Sequence, residues 1–139
     1  MNPSVARSGA GLSAAALCAA LLVGCATATT EKTLQDRGVQ PLSEGELREM
    51  HARPRLITFV NPQNVTSQLE TAPDGLIIAS GPSGTTTGSY RIDGNRFCSS
   101  FPQRDAGREV CTRLYPTGTQ EFQAFGAGGE YRGRSRYTD

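Results

Sequence analysis

The chain has 139 residues, with 14 lysines and arginines against 13 aspartates and glutamates, and a formal net charge of +1. This balance excludes the strongly basic surface that binds nucleic acid. The length fits one domain with a modest core.

The first 24 residues have the layout of a secretory signal peptide. Arg7 is the only charged residue among the first 30, and the apolar run LSAAALCAALLV follows at 12–23. A weakly basic start before an apolar stretch of about 7–15 residues is typical of exported chains, whereas a membrane-spanning helix needs about 20 apolar residues. We therefore expect residues 1–24 to be a signal peptide, with a membrane span as the alternative.

The end of this run, Leu22-Val23-Gly24-Cys25, resembles the lipobox of bacterial lipoproteins. The resemblance implies that the chain is cut before Cys25, that Cys25 carries diacylglycerol, and that the new amine is acylated, for example with palmitate. Two or more acyl chains hold a protein stably on a membrane. Ala26 stands where lipoproteins kept at the inner membrane tend to have Asp, which implies the outer membrane, facing the periplasm. The alternative is a coincidental cysteine in an ordinary signal peptide.

The next two segments differ in pattern. Residues 25–41 are polar and rich in Thr, without periodicity, and are predicted to be a lipidated flexible tether. Ser43 and Glu46 then form a capping box, and Leu42 and Leu47 form the matching hydrophobic staple. This pattern predicts a short helix that ends before Pro54.

Residues 42–139 are predicted to form a small β-rich domain. Short runs of β-branched and aromatic residues lie between Gly, Asn and Asp turns, which indicates strands. The predicted strands lie at 55–60, 64–70, 76–80, 89–101 (a hairpin), 109–116, 120–125 and 130–137, and GPSGTTTG at 81–88 is expected to be a loop or a frayed strand. The spacing predicts a mainly β fold: an antiparallel meander, open sheet or small barrel, with one short N-terminal helix.

Two cysteines, Cys98 and Cys111, remain beside Cys25 after the predicted cleavage. An even pair in a small exported domain predicts a disulfide, because the compartment is oxidising. A metal or redox pair is the alternative, but neither cysteine belongs to a Cys-x-x-Cys motif or has a histidine nearby in the sequence. We therefore expect neither a metal site nor a cofactor.

The segment from Gly88 to Cys111 resembles part of small secreted bacterial domains of unknown function. These domains share a capped N-terminal helix, a Gly-x-aromatic-x-Ile/Val hairpin with Cys after its turn, and a second Cys on the next strand. The resemblance, which covers 42–139, implies a fold of this kind and no particular activity.

The residues that could support catalysis lack the sequence motifs that usually accompany a catalytic site. His51 is the only histidine, and near the end of the predicted helix its cationic form is favoured, so we expect a surface or capping residue. The Ser99-Ser100 pair lacks a Gly-x-Ser-x-Gly turn. The loop GAGGEYRG has Tyr131 where a nucleotide-binding loop needs Gly. We therefore expect no catalytic residues and no enzyme.

The last predicted strand carries three arginines, Arg132, Arg134 and Arg136. Residues two apart share one face of a strand, so their guanidiniums are expected to form a stripe, with Tyr131 and Tyr137 on the opposite face. Such a stripe could bind lipid phosphates, peptidoglycan carboxylates or an acidic envelope protein. The alternative is a solvated edge strand whose charges prevent aggregation.

These features together predict a membrane-anchored envelope lipoprotein with a non-catalytic binding or structural role. The alternative is a periplasmic inhibitor, or a small-ligand-binding β-barrel lipoprotein. A substantial apolar cavity would favour the ligand binder, and a flat sheet with a protruding loop would favour a protein partner. Clustered titratable groups with perturbed pKa values around His51 would favour an enzyme.

Overall fold

The computed structural model describes residues 29–139. The predicted signal peptide, Leu22–Cys25 and the start of the predicted tether lie outside the described residues. Eight antiparallel strands close into a barrel in which each strand pairs with the next and β8 pairs with β1. The strands are β1 (Arg55–Val60), β2 (Thr66–Thr71), β3 (Leu76–Gly81), β4 (Gly84–Asp93), β5 (Arg96–Ser100), β6 (Val110–Gly118), β7 (Glu121–Phe125) and β8 (Tyr131–Thr138). The predicted mainly β fold is confirmed. Of the predicted alternatives, a meander, an open sheet or a small barrel, the structure is the barrel.

Strand β4 begins earlier than the sequence indicated. The segment 81–88 was expected to be a loop or a frayed strand, but β4 starts at Gly84 and pairs with β3 along its first residues, with Ile78 opposite Thr87. The three threonines at 85–87 are β-branched and suit a pleated surface, which outweighs the glycines on either side.

Helix α2 (Glu44–Met50) closes one end of the barrel, which we call the closed end. Its capping box forms as predicted: Glu46 N–H donates to Ser43 Oγ over 3.3 Å, and Ser43 N–H donates to Glu46 Oε2 over 2.8 Å. Leu47 is fully buried and packs with Ile57 and Phe122 inside the barrel. The predicted helix is confirmed, and its apolar face fills the barrel end.

The expectation of a flexible tether over 25–41 is wrong for its second half. Helix α1 (Glu31–Asp36) packs on the outer wall of the barrel, where Leu34 is buried against Tyr115 and Phe125. Glu31 accepts hydrogen bonds from Arg113 Nε over 2.6 Å and from Tyr115 over 2.8 Å. A six-residue helix has little stability alone, so these contacts with the barrel hold it.

The opposite end of the barrel, which we call the mouth, carries the turns that follow β1, β3, β5 and β7. The longest connection there is the loop at 101–109, which contains a short 3₁₀ turn (Asp105–Gly107). At its base Cys98 and Cys111 lie opposite each other on β5 and β6 and form a disulfide. The predicted disulfide is confirmed, and closing such a loop stabilises the fold by about 3 kcal/mol.

Candidate functional site

The barrel encloses a cavity of about 340 Å³ between helix α2 and the mouth. Its volume falls within the range of about 300–1,000 Å³ typical of small-ligand sites. The side chains nearest the closed end are apolar. They include Ile57, Leu69, Ile77, Phe97, Leu114, Ala124 and Tyr137.

The cavity wall becomes more polar toward the mouth. Near the closed end Ile57 pairs with Tyr137 across β1 and β8. Two residues nearer the mouth, Phe59 pairs with Ser67 on one side and with Ser135 on the other. The cavity therefore offers an apolar floor below a band that contains hydroxyls.

Ser135 is the most constrained of these hydroxyl residues. It is 7% exposed and lines the cavity, and its Oγ has no hydrogen-bond partner within residues 29–139. Buried polar atoms in folded proteins nearly always have a partner. Ser135 Oγ is also too buried for a molecule in the cavity to reach, so it is a buried hydroxyl without a partner among these residues.

Three arginines stand at the mouth. Arg104 and Arg108 belong to the 101–109 loop, and Arg132 lies at the start of β8; all three line the cavity opening. The Arg104 guanidinium carbon lies 5.5 Å from the centre of the Phe101 ring, a cation–π contact at the lip of the cavity. Asp105 is a carboxylate on the same rim, which leaves an excess of positive charge around the opening.

The sequence did not indicate Arg104 and Arg108 as site residues. Among residues 29–139, neither has a salt bridge within 4.0 Å, whereas Arg132 pairs with Glu130 at 2.8 Å. In the sequence they are ordinary charged residues of a loop, four positions apart. Their common placement over an opening follows only from closure of the barrel.

Two of the three arginines in the expected stripe are paired with carboxylates. Arg132, Arg134 and Arg136 are exposed, but Arg132 pairs with Glu130, and Arg136 Nε donates to Glu121 over 3.0 Å. Arg134 has no carboxylate partner in the described part of the chain. The stripe as a site for an anionic partner stays a prediction.

Two other expectations for that strand are wrong: that it is an edge strand, and that Tyr131 and Tyr137 share one face. Strand β8 is not an edge, because it pairs with both β7 and β1. Tyr137 points inward and is 4% exposed, but Tyr131 lies outside at 39%. The reason is a register shift between Ala124 and Phe125, at which Arg132 becomes the extra residue and the alternation of faces breaks.

His51 is the C-cap residue of α2, as the capping alternative predicted, but it is neither a surface residue nor cationic. It follows α2 at the closed end, is 4% exposed and stacks on Phe97 with ring centres 5.0 Å apart. Burial lowers the pKa of His51 to about 4, with a smaller contribution from the Arg55 guanidinium. The sequence-based expectation of a cationic histidine is therefore wrong, because desolvation outweighs the helix dipole.

The titratable groups around His51 are perturbed by burial. Its Nδ1 lies 3.1 Å from Thr71 Oγ1, and its Nε2 lies 3.5 Å from the Tyr137 hydroxyl. Burial raises the pKa of Tyr137 and of Tyr90. Such a cluster was named as the feature that would favour an enzyme, but each shift here comes from burial and favours the uncharged form, and His51 does not line the cavity.

The remaining candidate residues are dispersed. Ser99 lines the cavity, whereas the neighbouring Ser100 faces outward with its Oγ 3.3 Å from that of Ser89. In the glycine-rich turn at 126–129, Gly128 N–H donates to Glu130 Oε2 over 2.9 Å, so the turn uses this donor internally. The structure does not bring Ser99, His51 and this turn together within hydrogen-bonding distance.

One group of metal-ligand side chains occurs on the outer wall. Donor atoms of Cys98, Glu109 and Cys111 lie within 4.8 Å of one another. The two sulfurs are bonded to each other, with an S–S distance of 2.05 Å, and a disulfide does not offer the thiolates that bind a metal. Glu109 instead accepts from Arg91 Nε over 2.9 Å, which lowers its pKa.

No protein-family model, curated protein or solved structure matches this chain. Within residues 29–139, the structure contains no helix of the length and apolar character needed to cross a membrane.

Proposed function

We propose that this protein is a lipoprotein anchored in the outer membrane of the bacterial envelope and that its barrel binds a small, mainly apolar ligand without converting it. The observation that carries the proposal is the cavity of about 340 Å³ inside the barrel. Of the two binding functions that the sequence left open, a cavity of this kind favours the ligand binder over a protein that holds a partner on a flat sheet.

Three properties of the cavity support a ligand of this type. Its floor is apolar, so it offers a favourable transfer of about 25 cal/mol for each Å² of apolar ligand surface removed from water. It opens at the mouth, so a ligand can enter without rearrangement of the strands. Ser67 and Ser99, nearer the mouth, provide polar contacts that would orient the ligand.

The membrane anchor is tested separately from the cavity. In cells grown with radiolabelled palmitate, we expect the label on the wild-type chain and its loss, together with loss of processing, in Cys25→Ser. Cys18→Ser is the matched control, because Cys18 lies in the predicted signal peptide and its variant should still be labelled. A Cys25→Ser chain that is cleaved, labelled and membrane-bound as before would overturn the anchoring proposal.

The cavity is tested by methyl NMR on the mature lipoprotein in phosphatidylcholine nanodiscs, with octanol as the apolar probe. Ile57 and Ile77 line the cavity, whereas Val60 and Val65 do not line it and face outward. We expect saturable shifts of the Ile57 and Ile77 methyl signals and none for the outward pair. Equal shifts of both pairs, or none, would contradict binding inside the barrel.

A further inference from the structure

We propose that the occupant of the cavity is an amphiphile with an anionic headgroup, which Arg104 and Arg108 hold at the mouth while one apolar chain lies on the apolar floor. This inference rests on the proposed function and names the class of ligand. Three independent features of the described residues support it: the direction of the polarity gradient, the charge of the rim, and the end of the barrel at which the chain enters.

The polarity gradient matches an amphiphile rather than a wholly apolar molecule. The floor around Ile57 and Tyr137 is apolar, and Ser67, Ser99 and Ser135 lie nearer to the mouth. Ser67 and Ser99 are only partly buried, so their hydroxyls can bond a polar atom of an occupant at that level. An unbranched hydrocarbon would offer these hydroxyls no hydrogen bond.

The rim charge selects the sign of the headgroup. Around the opening, Arg132 is paired with Glu130, whereas Arg104 and Arg108 stand beside a single carboxylate, Asp105. Guanidinium groups pair with carboxylates and phosphates through charge-assisted hydrogen bonds that are about twice as strong as neutral ones. Neither Arg104 nor Arg108 has a salt bridge elsewhere among the described residues, so both are available to a headgroup.

The docking of α1 places the anchored end of the chain beside the mouth. Arg113, which holds Glu31, also donates to Gly126 O over 2.8 Å, in the turn after β7 at the mouth. Glu31 follows Cys25 by six residues, a separation that spans at most about 20 Å. On the proposed lipidation of Cys25, the cavity therefore opens near the membrane surface, where amphiphiles are concentrated.

The test compares octanoate with octanol, two probes that differ only in the headgroup. Cavity binding is read from the Ile57 and Ile77 methyl signals of the mature lipoprotein in phosphatidylcholine nanodiscs. We expect the ratio of octanoate to octanol affinity to fall about tenfold in the double variant Arg104→Gln/Arg108→Gln, which corresponds to one charge-assisted contact. Arg134→Gln is the matched control: it removes an exposed arginine away from the cavity and should leave the ratio unchanged.

The outcomes separate this inference from the proposed function. If octanol shifts the cavity methyl signals and the double variant leaves the affinity ratio unchanged, the headgroup inference is overturned and the ligand-binding proposal stands. If neither probe shifts them, the proposed function itself fails.

A further arm identifies the source of the amphiphile. Shifts of the cavity methyl signals on incorporation of phosphatidylglycerol, before any probe is added, support a bilayer lipid whose one chain enters the barrel. Shifts only on addition of octanoate support a free amphiphile. Preferential binding of a cationic probe, octylammonium, would overturn the assignment of charge.

Discussion

The buried His51 makes the stability of the barrel depend on pH. Its side chain lies under α2 at the closed end, and burial lowers its pKa to about 4 from an ordinary value of 6.5. Between these two pH values the unfolded chain binds a proton that the folded barrel does not. The free energy of unfolding therefore decreases as the pH falls through this interval, and the contribution of His51 is constant above it.

The size of the effect follows from the difference in pKa. Each unit corresponds to about 1.4 kcal/mol, so the full loss, reached below the folded-state pKa, is about 3 kcal/mol. Between about pH 7.5 and pH 5 the expected loss is about 2 kcal/mol, because at pH 5 most unfolded and few folded molecules carry the proton.

The assay is urea unfolding followed by far-ultraviolet circular dichroism at pH 7.5, 6 and 5, for the wild-type protein and for His51→Gln. Glutamine does not titrate, so the variant lacks this pH dependence whatever its own stability. The lowered pKa values of Glu31 and Glu109 act in the same direction but are present in both proteins. Equal losses in the two proteins on acidification would refute a neutral, buried His51.

Three further substitutions test the packing. Leu47→Ala should lower the free energy of unfolding by about 2–5 kcal/mol, measured by urea unfolding, because Leu47 is fully buried in the closed end. Glu31→Gln should release α1 and speed amide hydrogen exchange over 31–42, since it removes the carboxylate that Arg113 and Tyr115 bind. Gly88→Ala should destabilise the barrel and lower its melting temperature, because the added Cβ would lie 2.2 Å from a backbone oxygen of Ser100.

Matched controls accompany these variants. Leu56 is 42% exposed, so Leu56→Ala should cost far less than Leu47→Ala. Glu44 forms an exposed pair with Arg48 at 2.6 Å, so Glu44→Gln should leave exchange over 31–42 unchanged. Gly45 lies in α2 with only Ser43 Oγ nearby, at 4.0 Å, and Gly45→Ala should be neutral or stabilising. A variant and control that behave alike would contradict the assigned contact.

Local patterns in the sequence predicted the elements that local chemistry forms. The capping box of Ser43 and Glu46 correctly predicted the residue at which α2 begins, because its hydrogen bonds join residues only three apart. The strand predicted at 109–116 also forms, as β6, and puts Leu114 and Tyr115 on opposite faces. The former lies inside the barrel, and the latter lies outside, under α1.

Features that depend on distant contacts were not predictable in this way. Pairing of β8 with β1 joins residues about 80 positions apart, and no local pattern encodes it. Helix α1 has one apolar contact residue, Leu34, which is too few to produce a periodic pattern. The burial of His51 and the meeting of Arg104 with Arg108 over a cavity both follow from closure of the barrel.

The central claim, that the barrel holds a small ligand, is tested most directly by native mass spectrometry of the lipoprotein purified from its own membrane. Ser135→Leu adds a bulky side chain that narrows the cavity, and its fold can be checked by circular dichroism. We predict a small molecule bound one-to-one to the wild-type protein, released by solvent extraction and lost from folded Ser135→Leu. A bound molecule that is retained equally by both proteins, or found on neither, would contradict the claim.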